Sequence, residues 1–262
     1  MRPRQALSTS RGGSSNCDAS YDTDGMTTDT APSYTGFRFP QEIISHAVWL
    51  YFRFNLSYRD VEELLAERGV VVTYESVRQW CRKVGQQYAH HLRRRRARPG
   101  DTWHVDEGFL KSNGKNQSLW RAADQDGNVL AILIQSRRNT AAAKKFFRKL
   151  LKGCSYVPRV LIPDKLASSG AAKREVLPTV EHRQSCYLNN RAANSHQPPR
   201  QRERVMQRFK AAGHAQRFLA AFGPIREHVC FRRHRLKARE YRAQRDQRFQ
   251  VWNEVTGVQA TA

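Results

Sequence analysis

TWHVDEGFLKSNGKNQSLWRAADQDGNVLAILIQS, Thr102 to Ser136, is the stretch on which the fold turns. It holds three strand-like runs, and the dipeptides Asn113-Gly114 and Asp126-Gly127 separate them at hairpin positions. Three antiparallel strands are therefore expected. Downstream, NTAAAKKFFRKLLKG reads as a helix with Phe146, Phe147, Leu150 and Leu151 on its apolar side and Gly153 at its end. RVLIPDK is a short apolar strand ending in an acid, EHRQSCYL reads as a further strand, and NNRAANSHQ opens a last long helical region. A meander, a helix, a strand, a helix-like turn, a strand and a helix make a mixed α/β class, matching a ribonuclease-H-like fold with a five-stranded sheet.

Upstream, QEIISHAVWLYFRF spaces Ile43, Ile44, Ala47, Val48 and Tyr51 by threes and fours, the mark of an amphipathic helix. In SYRDVEELLAERG, Ser57 and Asp60 form a capping-box-like start, Val61, Leu64 and Leu65 form the apolar face, and Gly69 suits a stop. Thr73 then caps YESVRQWCRKVG, which turns Val77, Trp80, Cys81 and Val84 inward and Arg78, Gln79 and Arg82 outward. Two short helices joined by a tight turn match a helix-turn-helix, whose second helix reads the major groove. A plain helical hairpin with a solvated face is the competing reading.

Residues 1–36 are rich in Ser, Thr, Gly and Asp without apolar periodicity and are expected to be disordered, with Met26 as a candidate start. The helix-turn-helix is expected over 37–90 and a basic linker over 91–100. In that linker Arg93, Arg94, Arg95 and Arg96 form a phosphate-tracking arm. The sheet domain is expected over 101–225 and a basic helical tail over 226–262.

A formal net charge of +23 points to a polyanion, and nucleic acid is favoured over an anionic membrane surface because no basic amphipathic helix or lipidation signal stands out. No apolar run approaches the roughly 20 residues of a membrane span. The five scattered cysteines contain no CxxC pair, which argues against a disulfide framework and fits a reducing cytoplasm. The arginines of the 200–248 region suit phosphates, and its aromatics, from Phe209 to Phe249, read as packing.

Phosphoryl transfer with two divalent metals needs converging carboxylates, because magnesium prefers hard oxygen ligands. Asp106 lies inside an apolar strand, and alternation sends its neighbour Glu107 to the opposite face. Asp164 ends the strand VLIPD. Each could be a strand-edge acid in solvent or a capping group, and two such acids on strands expected to be neighbours, in a chain this basic, make a metal-binding pair an equal reading.

The chain resembles the bacterial insertion-sequence transposases of family six over roughly Phe37 to Trp252. The resemblance is carried by FRFPQEIISHAVWLYFRFNLSYRDVEELLAERGV, TWHVDE, LWRAADQDGNVL, QSRRNTAAAKKFFRKLLKG, GAAKREVLP, LNNRAANSHQPPRQRER and AQRFL. It implies an Asp, Asp, Glu triad binding two Mg2+ ions, with Asp106 and Asp164 as catalytic metal ligands. The third acid falls on Ala193. It further implies binding to terminal inverted repeats and target DNA, replicative strand transfer, a homo-oligomer on DNA and a nucleoid-associated cytoplasmic location, with no membrane partner. Glu203, ten residues past Ala193, would lie about 15 Å further along a helix, with Pro198 and Pro199 bending the path. Pro163 stands where the family usually has threonine, and Ser169 where it has tyrosine. The expected outcome is a catalytically impaired transposase; the alternative is a dead DNA-binding remnant that occupies element ends or joins active subunits.

Overall fold

Three helices lead the fold: α1 (Gln41–Arg53), α2 (Tyr58–Ala66) and α3 (Tyr74–Arg94). The computed structural model describes residues 32–163, 167–183, 197–207, 209–230 and 236–258. α1 buries Ile44, Ala47, Val48, Tyr51 and Phe52, a stripe at the spacing its sequence announces. α2 opens with a complete capping box: Asp60 N donates to Ser57 Oγ at 3.1 Å, and Ser57 N donates to Asp60 Oδ2 at 2.7 Å. Val61 and Leu65 are buried, but Leu64, expected on the same face, is 41% exposed. A nine-residue helix offers its neighbours only one narrow stripe.

Gly69 turns the chain at φ 77°, and the link to α3 then runs on through Val70 to Thr73. The connection is longer than the tight three- or four-residue turn the sequence reading assumed. Thr73 Oγ1 accepts from Ser76 N at 3.3 Å, capping α3. That helix does not stop near residue 90. Tyr88, Ala89 and Leu92 prolong the buried stripe of Val77, Trp80, Cys81 and Val84, so packing carries the helix to Arg94, inside the stretch expected to be a linker.

The meander follows as β1 (Thr102–Ser112), β2 (Lys115–Asp124) and β3 (Val129–Gln135). Asn113 and Gly114 take φ of 49° and 73°, the positive values a two-residue hairpin between right-twisted strands requires. At the second turn, Asp124 Oδ1 accepts from the amides of Asp126 and Asn128 at 2.9 and 2.8 Å. β4 (Val160–Pro163) runs parallel to β1, and the two-residue β5 (Glu181–His182) runs parallel to β4. The sheet order is β3-β2-β1-β4-β5, antiparallel on one side of β1 and parallel on the other, which fits a ribonuclease-H-like arrangement. Pro163 sits at the last position of the interior strand β4, where loss of one amide donor costs the ladder least.

Helices cover both faces. α4 (Thr140–Cys154) is capped by Asn139 and ends at Ser155, whose φ is 48°, rather than at Gly153. Gly153 does not take the positive φ of a helix stop; Ser155 does. Phe146, Phe147 and Leu150 of α4, with Ala172 of α5 (Ala167–Val176), pack on Trp103, Val105, Trp120 and Leu133. On the other face, Leu110, Leu119 and Ile132 join a larger core. It includes α1 to α3, α7 (Ala212–Val229) and α8 (Ala238–Thr256), with α6 (Gln197–Val205) alongside. α7 crosses the expected boundary at 225/226 because Phe218, Phe222 and Ile225 form one buried stripe.

The helical and sheet segments thus share a core inside one compact unit, Ala31–Ala262. β3, the edge strand, is shielded: Gln216 of α7 donates to Ile132 O at 3.1 Å and accepts from Ile134 N at 2.8 Å, and Lys149 Nζ donates to Ile132 O at 2.9 Å. Among the described residues no helix is long and apolar enough to cross a membrane.

Candidate functional site

Asp106 lies midway along β1, the central strand, and is partly exposed. Its Oδ1 accepts from Glu107 N at 2.9 Å. The parallel register pairs Val105 with Pro163. The residue before Asp106 therefore stands beside the residue before Asp164 in the sequence. Asp164 itself lies outside the described residues, as does Ala193. Among the described residues no three His, Cys, Asp or Glu side chains gather where they could hold a metal ion.

Strand alternation separates the two adjacent acids as the sequence implies. Glu107 turns to the face covered by α4, where its Oε2 accepts from Arg138 Nε at 2.8 Å and its side chain is 1% exposed. Asp106 pairs in register with Arg121, on the opposite face. Arg121 is buried, and burial draws its pKa down to about 10 against the charges of Glu227 and Asp106. Glu227 of α7 is half-buried, and burial raises its carboxyl pKa although Arg96, the Val129 amide and Arg121 all favour the anion. Glu227 Oε1 accepts from Val129 N at 2.7 Å, and Oε2 pairs with Arg96.

Arg121 and Glu227 were not among the sequence-predicted residues. A lone arginine in the apolar run LWRAAD was a usable signal for the first. Glu227 gave none, since its helix brings it to the sheet only through tertiary packing.

Glu203 is placed far from Asp106. Its Oε1 accepts from Lys111 N at 3.3 Å, and five residues of strand separate Lys111 from Asp106, about 16 Å at strand rise. Pro198 and Pro199 are the second and third residues of α6, and the segment from Ala193 to His196 lies outside the described residues.

The basic run is tethered rather than free. Arg93 Nη2 donates to Ala220 O at 2.6 Å, and Arg95 Nη1 donates to Glu254 Oε2 at 2.6 Å. Arg96 Nη1 donates to Val129 O at 2.6 Å in addition to its pairing with Glu227. These three residues join the end of α3 to α7, α8 and β3, because α3 runs on as a packed helix instead of opening into an arm. Arg94, the last residue of α3, is exposed.

On α3, Arg82 is exposed. Arg78 donates twice to Glu75, at 2.7 and 2.6 Å, and Gln79 Nε2 donates to Glu75 Oε1 at 3.2 Å. These bonds hold the exposed Glu75 carboxyl down at about 2, with Arg78 the larger cause.

Two arginines of the C-terminal region also serve the fold. Arg202 is fully buried over the Tyr51 ring, 4.1 Å from its centroid, and Arg248 Nη1 donates to the carbonyls of Glu227 and His228. Phe209, Phe218 and Phe222 are core residues as expected, whereas Phe249 is 41% exposed.

A family model for the DDE domain of IS240-type transposases matches residues 100–232. The transposase for insertion sequence-like element IS431mec of Staphylococcus aureus is 30% identical over 164 residues, 61% of this chain and 73% of that protein. The transposase for insertion sequence element IS257 in transposon Tn4003 of the same species matches to the same extent. Among solved structures, the HTLV-2 integrase catalytic core domain in complex with magnesium is similar at a TM-score of 0.36 and 10% identity, covering 51% of this chain and 89% of that one. The catalytic core domain of BIV integrase is similar at 0.36 and 11%, covering 58% and 99%. With the domain match spanning the whole sheet and Asp106 at its centre, the chain belongs to the family-six insertion-sequence transposases, carrying their IS240-type DDE domain.

Proposed function

We propose that the chain is a DNA transposase of an insertion sequence, built for replicative strand transfer and catalytically impaired. The observation that supports this reading is the β1–β4 register, which pairs Val105, the residue before Asp106, with Pro163, the residue before Asp164 in the sequence. α3, with Gln79, Arg82 and Arg94, is the helix that reads the terminal inverted repeats in a helix-turn-helix with α2. Target DNA is the second partner, the working form is a homo-oligomer on DNA, and the location is the cytoplasmic nucleoid.

Asp106 and Asp164 are the catalytic metal ligands of this reading. The donor chemistry fits: Asp106 offers hard carboxylate oxygens suited to Mg2+, and Glu107, engaged with Arg138 on the opposite face, does not compete. Two bound ions would activate the attacking 3′ oxygen and balance charge on the leaving oxygen. Asp106 supplies its oxygens from a strand held on both sides, and Arg121 behind it limits the build-up of negative charge.

Ala193 supplies no oxygen, and Glu203, bonded at Lys111, is too far along β1 to replace it. Loss of one such electrostatic group costs about 10² to 10³ in rate. A strand-transfer assay on the unmodified chain and on Ala193→Glu tests the proposal. The variant should be faster by at least that factor, and equal robust activity in both would refute the impairment.

A second reading, a DNA-binding remnant that occupies element ends or joins active subunits, is favoured by the same Ala193. It predicts no strand transfer from the unmodified chain under any divalent metal, with element-end binding retained.

A further inference from the structure

β1 outruns its parallel neighbour. The register of β1 with β4 ends at Val105 and Pro163, whereas β1 continues to Ser112. The same edge of β1 is met again at Lys111, whose amide donates to Glu203 Oε1 at 3.3 Å, and at Ser112, which bridges to Phe209. Asp106 to Leu110 lie between these contacts, where a groove is lined by Phe109, Leu110, Pro199, Arg200, Glu203 and Phe209.

Phe109 breaks the pattern of its own strand face. Alternation puts it with Trp103 and Val105, which are packed under α4, yet Phe109 is 54% exposed. The ring is held from one side by a chain of contacts. Glu107, on the same face, has a buried side chain; its Oε2 accepts from Arg138 Nε at 2.8 Å, and its Oε1 has no hydrogen-bond partner among the described residues. A buried carboxylate is tolerated with its cation beside it, so Arg138 is pinned, and there its guanidinium lies 5.3 Å from the centroid of the Phe109 ring.

The acids of this region are turned inward and the cations outward. Glu107 is buried and Glu203 partly so, whereas Lys111 and Arg200 are exposed and the Arg138 side chain is 40% exposed. Phe109 thus stands open among three cations, about 10 Å along the strand from Asp106. A nucleotide matches that surface, because its base has a face for the ring and its phosphate a charge for the guanidinium. Bases inside a duplex are already stacked on their neighbours, which leaves an unpaired one as the occupant.

We propose that Phe109 and Arg138 hold an unpaired nucleotide of the DNA strand that passes Asp106, with the base stacked on the ring and the phosphate at the guanidinium. This rests on the reading of Asp106 as part of a DNA strand-transfer site. The platform makes no use of metal, so it can be tested by binding alone.

The test is the affinity of the full chain for two fluorescein-labelled duplexes, read by anisotropy at constant salt. Both carry a single-stranded overhang of the same length, one with bases and one abasic, so that their phosphates cancel in the comparison. The unmodified chain should prefer the base-bearing overhang by about 5- to 150-fold, the worth of one stacked base. Phe109→Leu should abolish the preference and Phe109→Trp should keep it, both with unchanged melting temperature. The double variant Glu107→Gln/Arg138→Gln leaves net charge unaltered and no buried carboxylate alone, and it should lower the log–log salt slope for the overhang by about 0.7. An equal preference in Phe109→Leu and the unmodified chain, no preference in the unmodified chain, or an unchanged slope in the double variant would each overturn the inference while leaving DNA binding in place. Altered sedimentation of DNA-free Phe109→Leu with the preference intact would assign the ring to a contact between copies and overturn it too. No binding of either DNA by the unmodified chain would overturn both the inference and the reading beneath it.

Discussion

Arg93 of α3 donates to the carbonyl of Ala220 in α7, the carbonyl that Pro224, four residues on, leaves without a helical donor. One residue of a basic run thus repairs a defect in another helix. Arg93→Ala should cost about 1 kcal/mol, the usual net worth of such a bond near the surface. In a Pro224→Ala background, where the helix can supply its own donor, the same change should cost nearly nothing. Urea unfolding of the four chains in the cycle measures the coupling, and additivity of the two changes would contradict the assignment.

Arg121 stands between the charges of Glu227 and Asp106 in a buried setting. Arg121→Leu removes a buried cation that favours the Glu227 anion while Arg96 still pairs with it, and should destabilise the fold by about 1–3 kcal/mol. Adding Glu227→Gln should recover part of the loss. Additive effects in the double variant, or a greater loss, would disprove the coupling.

Arg202 is fully buried, yet among the described residues Nε and Nη2 have no hydrogen-bond partner, while Nη1 donates to Phe54 O at 3.3 Å. Its contribution to stability should therefore be packing against Tyr51 more than charge. Arg202→Met is expected to stay within about 1 kcal/mol of the unmodified chain or to exceed it, while Arg202→Ala should lose about 2–5 kcal/mol through the cavity left behind. Chemical denaturation ranks them, and a methionine variant as damaged as the alanine one would show that the charge matters.

Burial holds His228 below the usual histidine value, despite its hydrogen bond with the Arg248 carbonyl, and His46, His90 and His214 shift the same way. The fold therefore prefers these rings neutral. Their contribution is fully present above the unfolded value near 6.5 and is lost as pH falls through the lower folded values. Melting temperature should drop between about pH 7.5 and pH 5.5, and His228→Gln should make the drop shallower. An identical pH profile would remove His228 from this set.

Much of the architecture was legible because its determinants are local. Asn113-Gly114 and Asp126-Gly127 fixed the meander, Ser57, Thr73 and Asn139 fixed helix starts, and three- and four-residue spacing marked the core faces. Asp106 stood out as an acid inside an apolar strand, and alternation set Glu107 apart from it. Helix ends were less legible, as α3 and α4 show, because an end depends on where packing stops. The arginines carry a role the sequence did not show: Arg93, Arg95, Arg96, Arg202 and Arg248 also make hydrogen bonds within the fold.

The sequence by itself determined the order of elements, the basic character of the chain and the alanine at position 193, since turn chemistry, charge and residue identity need no partner. Only the tertiary structure decided which cations are tied inside and which face solvent. It also decided that Arg121 stands across from Asp106 with Glu227 near Arg121, and that α7 lies against α3. The physical reason is that a buried charge is tolerated only where distant residues supply its partners, and those partners meet only when the chain folds.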